Sequence, residues 1–313
     1  MNQQRSKIII FITLATIISI SLIPTAVLAT PSQLPKGVSK NIPKNGFIVK
    51  QDLGDVMLYR EYIPLDVDSL LAGYPGTPPV DVDSLPENLY YSVNVYAIDT
   101  PDAVYLIDAG YESMAKNLYA KIVSDYGKKP ITVLLTHGHA DHAGGGSYLQ
   151  SKGATVYVNS WDWEMVKNGY ESLYSPPEFQ YTGYEAFNYT MDMGYTILNG
   201  FMILWTPGHT GGSVAIQWQA DGAMFSGDLT LALEDYRETL NDFTPELTQF
   251  TLYSHAYYPE ALYAQLLSLG TVQELGFSTL YPGHYGPYTG YEAAYVLGYT
   301  QGVINYLLFP PTP

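Results

Sequence analysis

The chain has 313 residues, with 30 Asp and Glu against 14 Lys and Arg, so its formal net charge is −16. A chain of this length can bury a large core in one α/β domain, but so few cations cannot neutralise a row of phosphates, which argues against a nucleic-acid substrate. There is no cysteine, which excludes disulfides and thiolate ligands.

Residues 1–29 predict a signal peptide or an N-terminal anchor. Arg5 and Lys7 precede an apolar run over residues 8–23, and residues 27–29 offer a small-residue cleavage site. The run is short for a membrane span. We therefore expect a secreted or extracytoplasmic protein, with no stable membrane contact unless this segment is retained as an anchor.

Residues 30–45 are rich in Pro, Ser and Lys and predict a linker, followed by one folded domain over residues 46–313. Strands should alternate with helices in the first half of this domain, which is typical of a parallel sheet covered by helices. The stripe of Leu118, Ile122 and Tyr126 indicates one such helix. In chain order, we expect a hairpin over 46–62, an irregular segment over 63–88, strands over 90–98 and 103–107, a helix over 112–126 and a strand over 131–135.

The second half of the domain is interrupted by two insertions. The first, over 169–200, is rich in tyrosine; it is either a surface insertion whose aromatics pack on the sheet or a lid that binds an apolar group. The second, over 229–258, holds His255, either a structural surface residue or an acid or substrate contact. The other elements expected are helices over 147–152, 160–166 (with Ser160 as its cap), 260–269 and 291–308, and strands over 154–158, 201–205, 213–219, 223–226 and 277–281.

Three of the six histidines fall within six positions, directly after the strand predicted over 131–135. The carboxyl end of such a strand is where open α/β sheets place their chemistry. His137 and His139, two positions apart in extended backbone, point the same way and can bind one cation. Asp141 and His142 lie past the bend and can face a second cation beside the first. The alternative is a polar loop without metal, which would crowd titrating groups that lack partners.

Three later segments repeat the pattern of a ligand-type residue after a predicted strand. They are Thr206-Pro207-Gly208-His209, Phe225-Ser226-Gly227-Asp228 and Tyr281-Pro282-Gly283-His284. Together with His-x-His-x-Asp-His, these motifs resemble the metallo-β-lactamase superfamily, from about Leu89 to the C-terminus. The resemblance implies an α/β fold of the four-layer αββα sandwich type. It also implies that residues 46–313 form the catalytic domain.

The resemblance also implies two divalent metal ions, with zinc favoured and iron or manganese acceptable to the same ligands. It assigns His137, His139 and His209 to one ion, and Asp141, His142 and His284 to the other, with Asp228 as the bridge. A metal-bound hydroxide would then attack a carbonyl, and Asp141 would carry the proton. Asp108 corresponds to a supporting carboxylate rather than a ligand.

The substrate class is less constrained, because the superfamily uses one site on many esters and amides. Position 228 is an aspartate, whereas some β-lactamase subclasses of the superfamily use a cysteine ligand. In this respect the chain resembles the lactonase and hydroxyacyl-thioester hydrolase branches. Arg237 is the only Lys or Arg after Lys167, which disfavours an anionic thiol carrier. We therefore expect a small neutral acyl substrate, a lactone, ester or β-lactam. A glyoxalase II-like thioesterase and an iron-dependent oxygen-using enzyme of the same fold remain alternatives, and a non-catalytic binding protein is disfavoured because no ligand position is broken.

Overall fold

A computed structural model describes residues 46–64, 90–170, 180–189, 191, 194–230 and 259–309. Several predictions concern residues outside these ranges. They are the N-terminal segment and linker, nearly all of the irregular segment over 63–88, Tyr174 in the first insertion, and His255 with nearly all of the second insertion.

The first sheet has seven strands in sequence order. Its first four strands are antiparallel, and the remaining three continue in parallel. The parallel part confirms the β-α-β arrangement predicted from the sequence. The strands are β1 (Phe47–Asp52), β2 (Val56–Pro64), β3 (Tyr90–Asp99), β4 (Val104–Ile107), β5 (Ile131–Leu134), β6 (Thr155–Asn159) and β7 (Phe187–Tyr189).

The second sheet has six strands in the order β13-β12-β11-β10-β9-β8. Only the β11–β12 pair is parallel, because a helix connects these two strands. The strands are β8 (Tyr195–Leu198), β9 (Phe201–Trp205), β10 (Val214–Trp218), β11 (Ala223–Gly227), β12 (Thr279–Pro282) and β13 (Tyr288–Thr289).

Six α-helices and a short 3₁₀ helix over Glu112–Met114 are seen in the described residues. None of these helices combines the length and apolarity needed to cross a membrane. The α-helices are α1 (Ala115–Tyr126), α2 (Ala140–Ala143), α3 (Gly146–Ser151), α4 (Trp163–Asn168), α5 (Pro259–Leu275) and α6 (Gly290–Leu308).

Three apolar clusters define four layers. One packs α1 and α3 on the first sheet through Leu118 and Leu149. A second packs α5 and α6 on the second sheet, with Leu269 and Val296 fully buried. The third joins the inner faces of the two sheets and includes Phe225. Burial of this apolar area is the main stabilising contribution, and the αββα sandwich is confirmed.

The structure differs from the predicted elements at several places, and β13 is one strand that was not expected. Helix α4 begins after Asp162 rather than at Ser160, whose hydroxyl lies beside Asn159 instead of capping the helix. The tyrosine-rich insertion contains two strands, β7 and β8, that the sequence analysis did not expect. Helix α5 runs to Leu275, six residues beyond the predicted end.

Candidate metal centre

The His-x-His-x-Asp-His segment follows β5 and folds as predicted. His139 is extended, with φ −67° and ψ 155°, and Asp141 and His142 then lie on the single turn of α2. The turn packs closely against the loop after β4, where a Cβ on Gly145 would lie 2.1 Å from the Ala109 carbonyl oxygen. The glycine is therefore required by the close approach of two backbones.

The first group of ligand-type atoms comes from three histidines on two sheets. His209, from the loop after β9, places its Nε2 3.1 Å from His137 Nε2 and 2.9 Å from His139 Nδ1. Burial, followed by the neighbouring imidazoles, lowers the pKa of His137 well below its usual value. The His137 ring is therefore neutral at physiological pH, as a metal ligand must be.

The second group mixes carboxylates with imidazoles. His284, from the loop after β12, places its Nε2 3.4 Å from Asp141 Oδ2 and 3.4 Å from His142 Nε2. Asp228, directly after β11, places Oδ2 3.2 Å from His284 Nε2 and Oδ1 3.3 Å from His142 Nε2. In each of the two groups, one ligand atom per residue lies within 4.8 Å of all the others.

Asp228 also reaches the first group. Its Oδ2 lies 3.4 Å from His209 Nε2 and 3.9 Å from His137 Nε2. The structure therefore brings all seven predicted ligand residues into one cluster, and Asp228 is close to both halves of it.

The nitrogens that face away from the cluster support a metal role. His142 Nδ1 lies 2.8 Å from Asp108 Oδ2, and His284 Nδ1 lies 2.5 Å from the Ser92 carbonyl oxygen. Since each ring has a partner for Nδ1, its Nε2 is directed into the cluster with a fixed orientation. Imidazole nitrogen and carboxylate oxygen suit zinc and similar divalent ions, so these residues fit the implied metals.

Comparisons with known proteins agree with this geometry. Residues 90–284 match the family model described as the metallo-β-lactamase superfamily. The chain belongs to this superfamily. All the residues of both groups, which could each hold a metal ion through histidine and aspartate side chains, fall inside the matched range.

Among curated proteins, the chain is 32% identical over 114 residues to the metallo-β-lactamase type 2 of Elizabethkingia meningoseptica, a match that covers 32% of this chain and 46% of that protein. It is 26% identical over 162 residues to the "Probable metallo-hydrolase YybB" of Bacillus subtilis, covering 50% and 71%. The chain thus spans about half the length of the first relative.

Solved structures of superfamily members share the fold. The metallo-β-lactamase FIM-1 from Pseudomonas aeruginosa, in a mono-zinc form, superposes with a TM-score of 0.60 at 15% identity and covers 86% of this chain and 99% of its own. A metallo-β-lactamase from Erythrobacter litoralis gives 0.57 at 17% identity, covering 82% and 96%. At these identities the likeness establishes the fold alone.

Asp108 supports the superfamily site as expected from the sequence. It is buried, and its Oδ1 accepts hydrogen bonds from the Thr136 N–H at 2.7 Å and the Thr136 hydroxyl at 3.0 Å. Its Oδ2 faces the Nδ1 of His142. The carboxylate therefore fixes both the start of the motif and the ring of one ligand.

Three buried polar residues around the site were not found by sequence analysis. Asp162 and Asn94 hydrogen-bond to the backbone of the ligand loops. Glu61, fully buried on β2, accepts the Tyr111 N–H at 2.9 Å. Burial, with a further contribution from Asp141, raises the pKa of Glu61 to about 8. Glu61 could have been noticed in the sequence, because it is a charged residue inside a largely apolar strand.

The described part of the tyrosine-rich insertion packs against the His-x-His-x-Asp-His segment and donates hydrogen bonds to its backbone. The hydroxyls of Tyr181 and Tyr184 donate to the carbonyls of Gly138 and Ala143, at 2.7 and 2.8 Å. Both rings are buried with the helices on the first sheet. These contacts match the interpretation of a packed surface insertion, and the lid interpretation rests on residues that include Tyr174, outside the described ranges.

Proposed function

We propose that this protein is a secreted or extracytoplasmic dinuclear zinc hydrolase that cleaves a small neutral lactone, ester or β-lactam. The observation that carries the proposal is the pair of adjacent groups, one of three histidines and one of mixed ligands, with Asp228 within 3.4 Å of ligand atoms in both. His137, His139 and His209 would hold one ion, and Asp141, His142 and His284 the other, with Asp228 between them.

When bound, the two ions supply Lewis acidity and lower the pKa of a water molecule between them. Asp141 would serve as the proton carrier. Although burial opposes ionisation, His142 and His284 hold the pKa of the Asp141 carboxyl well below its usual range, so the group is an anion. It can accept a proton at Oδ2 and later pass it to the leaving group.

The substrate class rests on charge and on the relatives. With one Lys or Arg after Lys167, the C-terminal half offers few cations for a phosphoester or a glutathione thioester. The first curated relative is named a metallo-β-lactamase, which supports testing lactams beside lactones and esters. The apolar N-terminal segment after Arg5 and Lys7 supports an extracytoplasmic location.

A hydrolase panel tests this function. Purified protein loaded with zinc should be assayed with lactones, neutral esters, β-lactams, a glutathione thioester and a phosphodiester at equal concentrations. We expect kcat/KM to be highest for one of the three neutral carbonyl classes. Faster turnover of the phosphodiester or the thioester would overturn the substrate assignment, as would oxygen consumption by iron-loaded protein without hydrolysis.

A further inference from the structure

We propose that Asp162 and Asn94 are positioning residues that each hold one of the two metal-binding groups, so that the two metal affinities can be changed separately. Asp162 serves the three-histidine group, and Asn94 serves the loop that carries His284. The inference rests on the proposed dinuclear function and adds two residues outside the ligand motifs.

Asp162 connects all three histidines of the first group. Its Oδ2 accepts hydrogen bonds from the Gly138 N–H at 2.9 Å and the Thr210 hydroxyl at 2.7 Å, and its Oδ1 accepts the Gly212 N–H at 2.8 Å. Gly138 lies between His137 and His139, and Thr210 directly follows His209. One buried carboxylate therefore ties the ligand loop of the first sheet to that of the second.

The packing around Asp162 leaves little room for this carboxylate to move. A Cβ on Gly212 would lie 2.4 Å from Asp162 Cγ, and a Cβ on Gly138 would lie 3.3 Å from Asp162 Cβ. Asp162 is 1% exposed, so water cannot replace its bonds to the backbone. Loss of one bond leaves a buried donor unsatisfied, and the loop must shift to satisfy it.

Asn94 holds the loop that carries His284 in the second group. Its backbone N–H donates to the Gly283 carbonyl at 2.8 Å, and its Nδ2 donates to the carbonyls of Pro282 at 3.0 Å and Tyr285 at 2.6 Å. The residues bonded to Asn94 therefore lie on both sides of His284. Tyr285 has φ 55°, a conformation that is unfavourable for a residue with a Cβ and needs support from its surroundings.

Arg60 fixes the Asn94 amide in this orientation. Its Nε donates to Asn94 Oδ1 at 2.8 Å, and its Nη2 donates to the Gly286 carbonyl at 2.6 Å. The amide therefore has one arrangement, with oxygen towards the guanidinium and nitrogen towards the loop. The loop is also close to the ligands, since a Cβ on Gly283 would lie 2.3 Å from Asp228 Oδ1.

The hydrogen bonds of the two positioning residues do not overlap. Those of Asp162 go to loops that carry His137, His139 and His209. Those of Asn94 go to the loop around His284, to Arg60 and to the Tyr96 hydroxyl. Partners that orient metal ligands typically contribute about 10- to 100-fold to metal affinity. A change at one positioning residue should therefore lower the affinity for one ion by about that factor and leave the affinity for the other ion unchanged.

Metal competition against a chromophoric chelator tests the inference in the full-length protein. His209→Ala and His284→Ala identify which binding step belongs to which group. Asp162→Asn should weaken the step lost in His209→Ala by about 10- to 100-fold, and Asn94→Ala should weaken the step lost in His284→Ala. Matched controls are Asp221→Asn, whose carboxylate accepts the Ala223 N–H in a distant turn, and Asn168→Ala, whose amide donates to the Glu164 carbonyl.

If either variant fails to fold by circular dichroism, Thr210→Val and Arg60→Lys replace it, because each leaves the positioning residue in place and removes only part of its hydrogen bonding. Equal weakening of both steps by both variants, or no change beyond the controls, would overturn the inference. Binding of one ion by the wild type would instead refute the dinuclear function. In that case the positioning inference would hold only if one of Asp162→Asn and Asn94→Ala, and not the other, lowers the affinity for the single ion.

Discussion

The two halves of the metal centre differ in their charge. The first half consists of three imidazoles, and burial and neighbouring rings lower the pKa of His137. In the second half, burial alone would lower the pKa of His284, but Asp228 and Asp141 raise it to about 10. The same contacts, led by His284, hold the pKa of Asp228 well below its usual range despite burial.

Under the proposed function, this difference would give two ions of the same kind unlike affinities. Without metal, the second group is stabilised by attraction between carboxylates and imidazolium rings. An ion entering there must displace protons from His142 and His284, whose pKa values are raised, the latter to about 10. His137, in the first group, has no such proton to release at physiological pH.

The largest effect is expected from removing Asp228, the residue that lies close to both groups. Asp228→Ala should reduce the occupancy of both ions, because Asp228 Oδ2 lies near His209 and His284 alike. We expect kcat/KM to fall on the order of 10³-fold, equivalent to about 4 kcal/mol. Metal analysis and hydrolysis of the preferred substrate would be measured together; retention of both ions would show that Asp228 is not shared.

A milder change should affect one half. Asp108→Asn should lower the affinity for the ion that His142 would bind, because the 2.8 Å contact between Asp108 Oδ2 and His142 Nδ1 is altered. The expected loss is about 10- to 100-fold in the affinity of the second ion. The effect on the first ion should be smaller, because Asn keeps the Oδ1 acceptor for the Thr136 N–H. Stepwise chelator competition measures both constants, and a larger loss at the first ion would contradict the assignment.

A change in pH should affect the two groups differently without any substitution. An imidazole binds metal only after losing its proton, so the raised pKa of His284, about 10, makes the affinity for the second ion fall as pH decreases below 10. The expected slope is about tenfold per pH unit for each proton displaced. The lowered pKa of His137 predicts a shallower slope for the first ion. Titrations from pH 6 to pH 9 would measure both slopes, and parallel slopes would refute the difference.

The last expected effect is on stability rather than on metal binding and concerns Glu61, whose pKa is raised by burial first and by Asp141 of the second group. The folded protein binds this proton more tightly than the unfolded chain, so the stability from Glu61 is present below pH 4.5 and is lost as pH rises towards about 8. Glu61→Gln keeps the acceptor for the Tyr111 N–H and cannot ionise. Relative to wild type, it should gain about 1–3 kcal/mol between pH 5 and pH 8.

Urea unfolding at the two pH values checks the effect of Glu61, with the exposed Glu164→Gln on α4 as the control. If the wild type and Glu61→Gln lose stability in parallel, the carboxyl does not titrate in this window.

The fold and the ligand residues could be predicted because their patterns are local. His137, His139, Asp141 and His142 lie within six positions, and each remaining ligand lies in the loop that leaves a strand. Strand β8 could also have been found, since Asn199-Gly200 before β9 is a hairpin signal, and both residues have positive φ in the structure.

The positioning residues could not be predicted, because their partners are backbone groups far away in sequence. Asp162 bonds to groups 24 and 50 residues away, and Asn94 to carbonyls 188 and 191 residues away. Such bonds leave no periodicity in the sequence. The start of α4 was mispredicted at Ser160 for the same reason. The residue before the helix is Asp162, whose carboxylate bonds to backbone groups that are distant in sequence.

The most direct test of the central claim is the number of ions in the protein. Wild-type protein purified under metal-replete conditions and freed of loosely bound ions should contain two zinc ions per chain by mass spectrometry. His209→Ala and His284→Ala should each contain one. At most one ion in the wild type would contradict the dinuclear site.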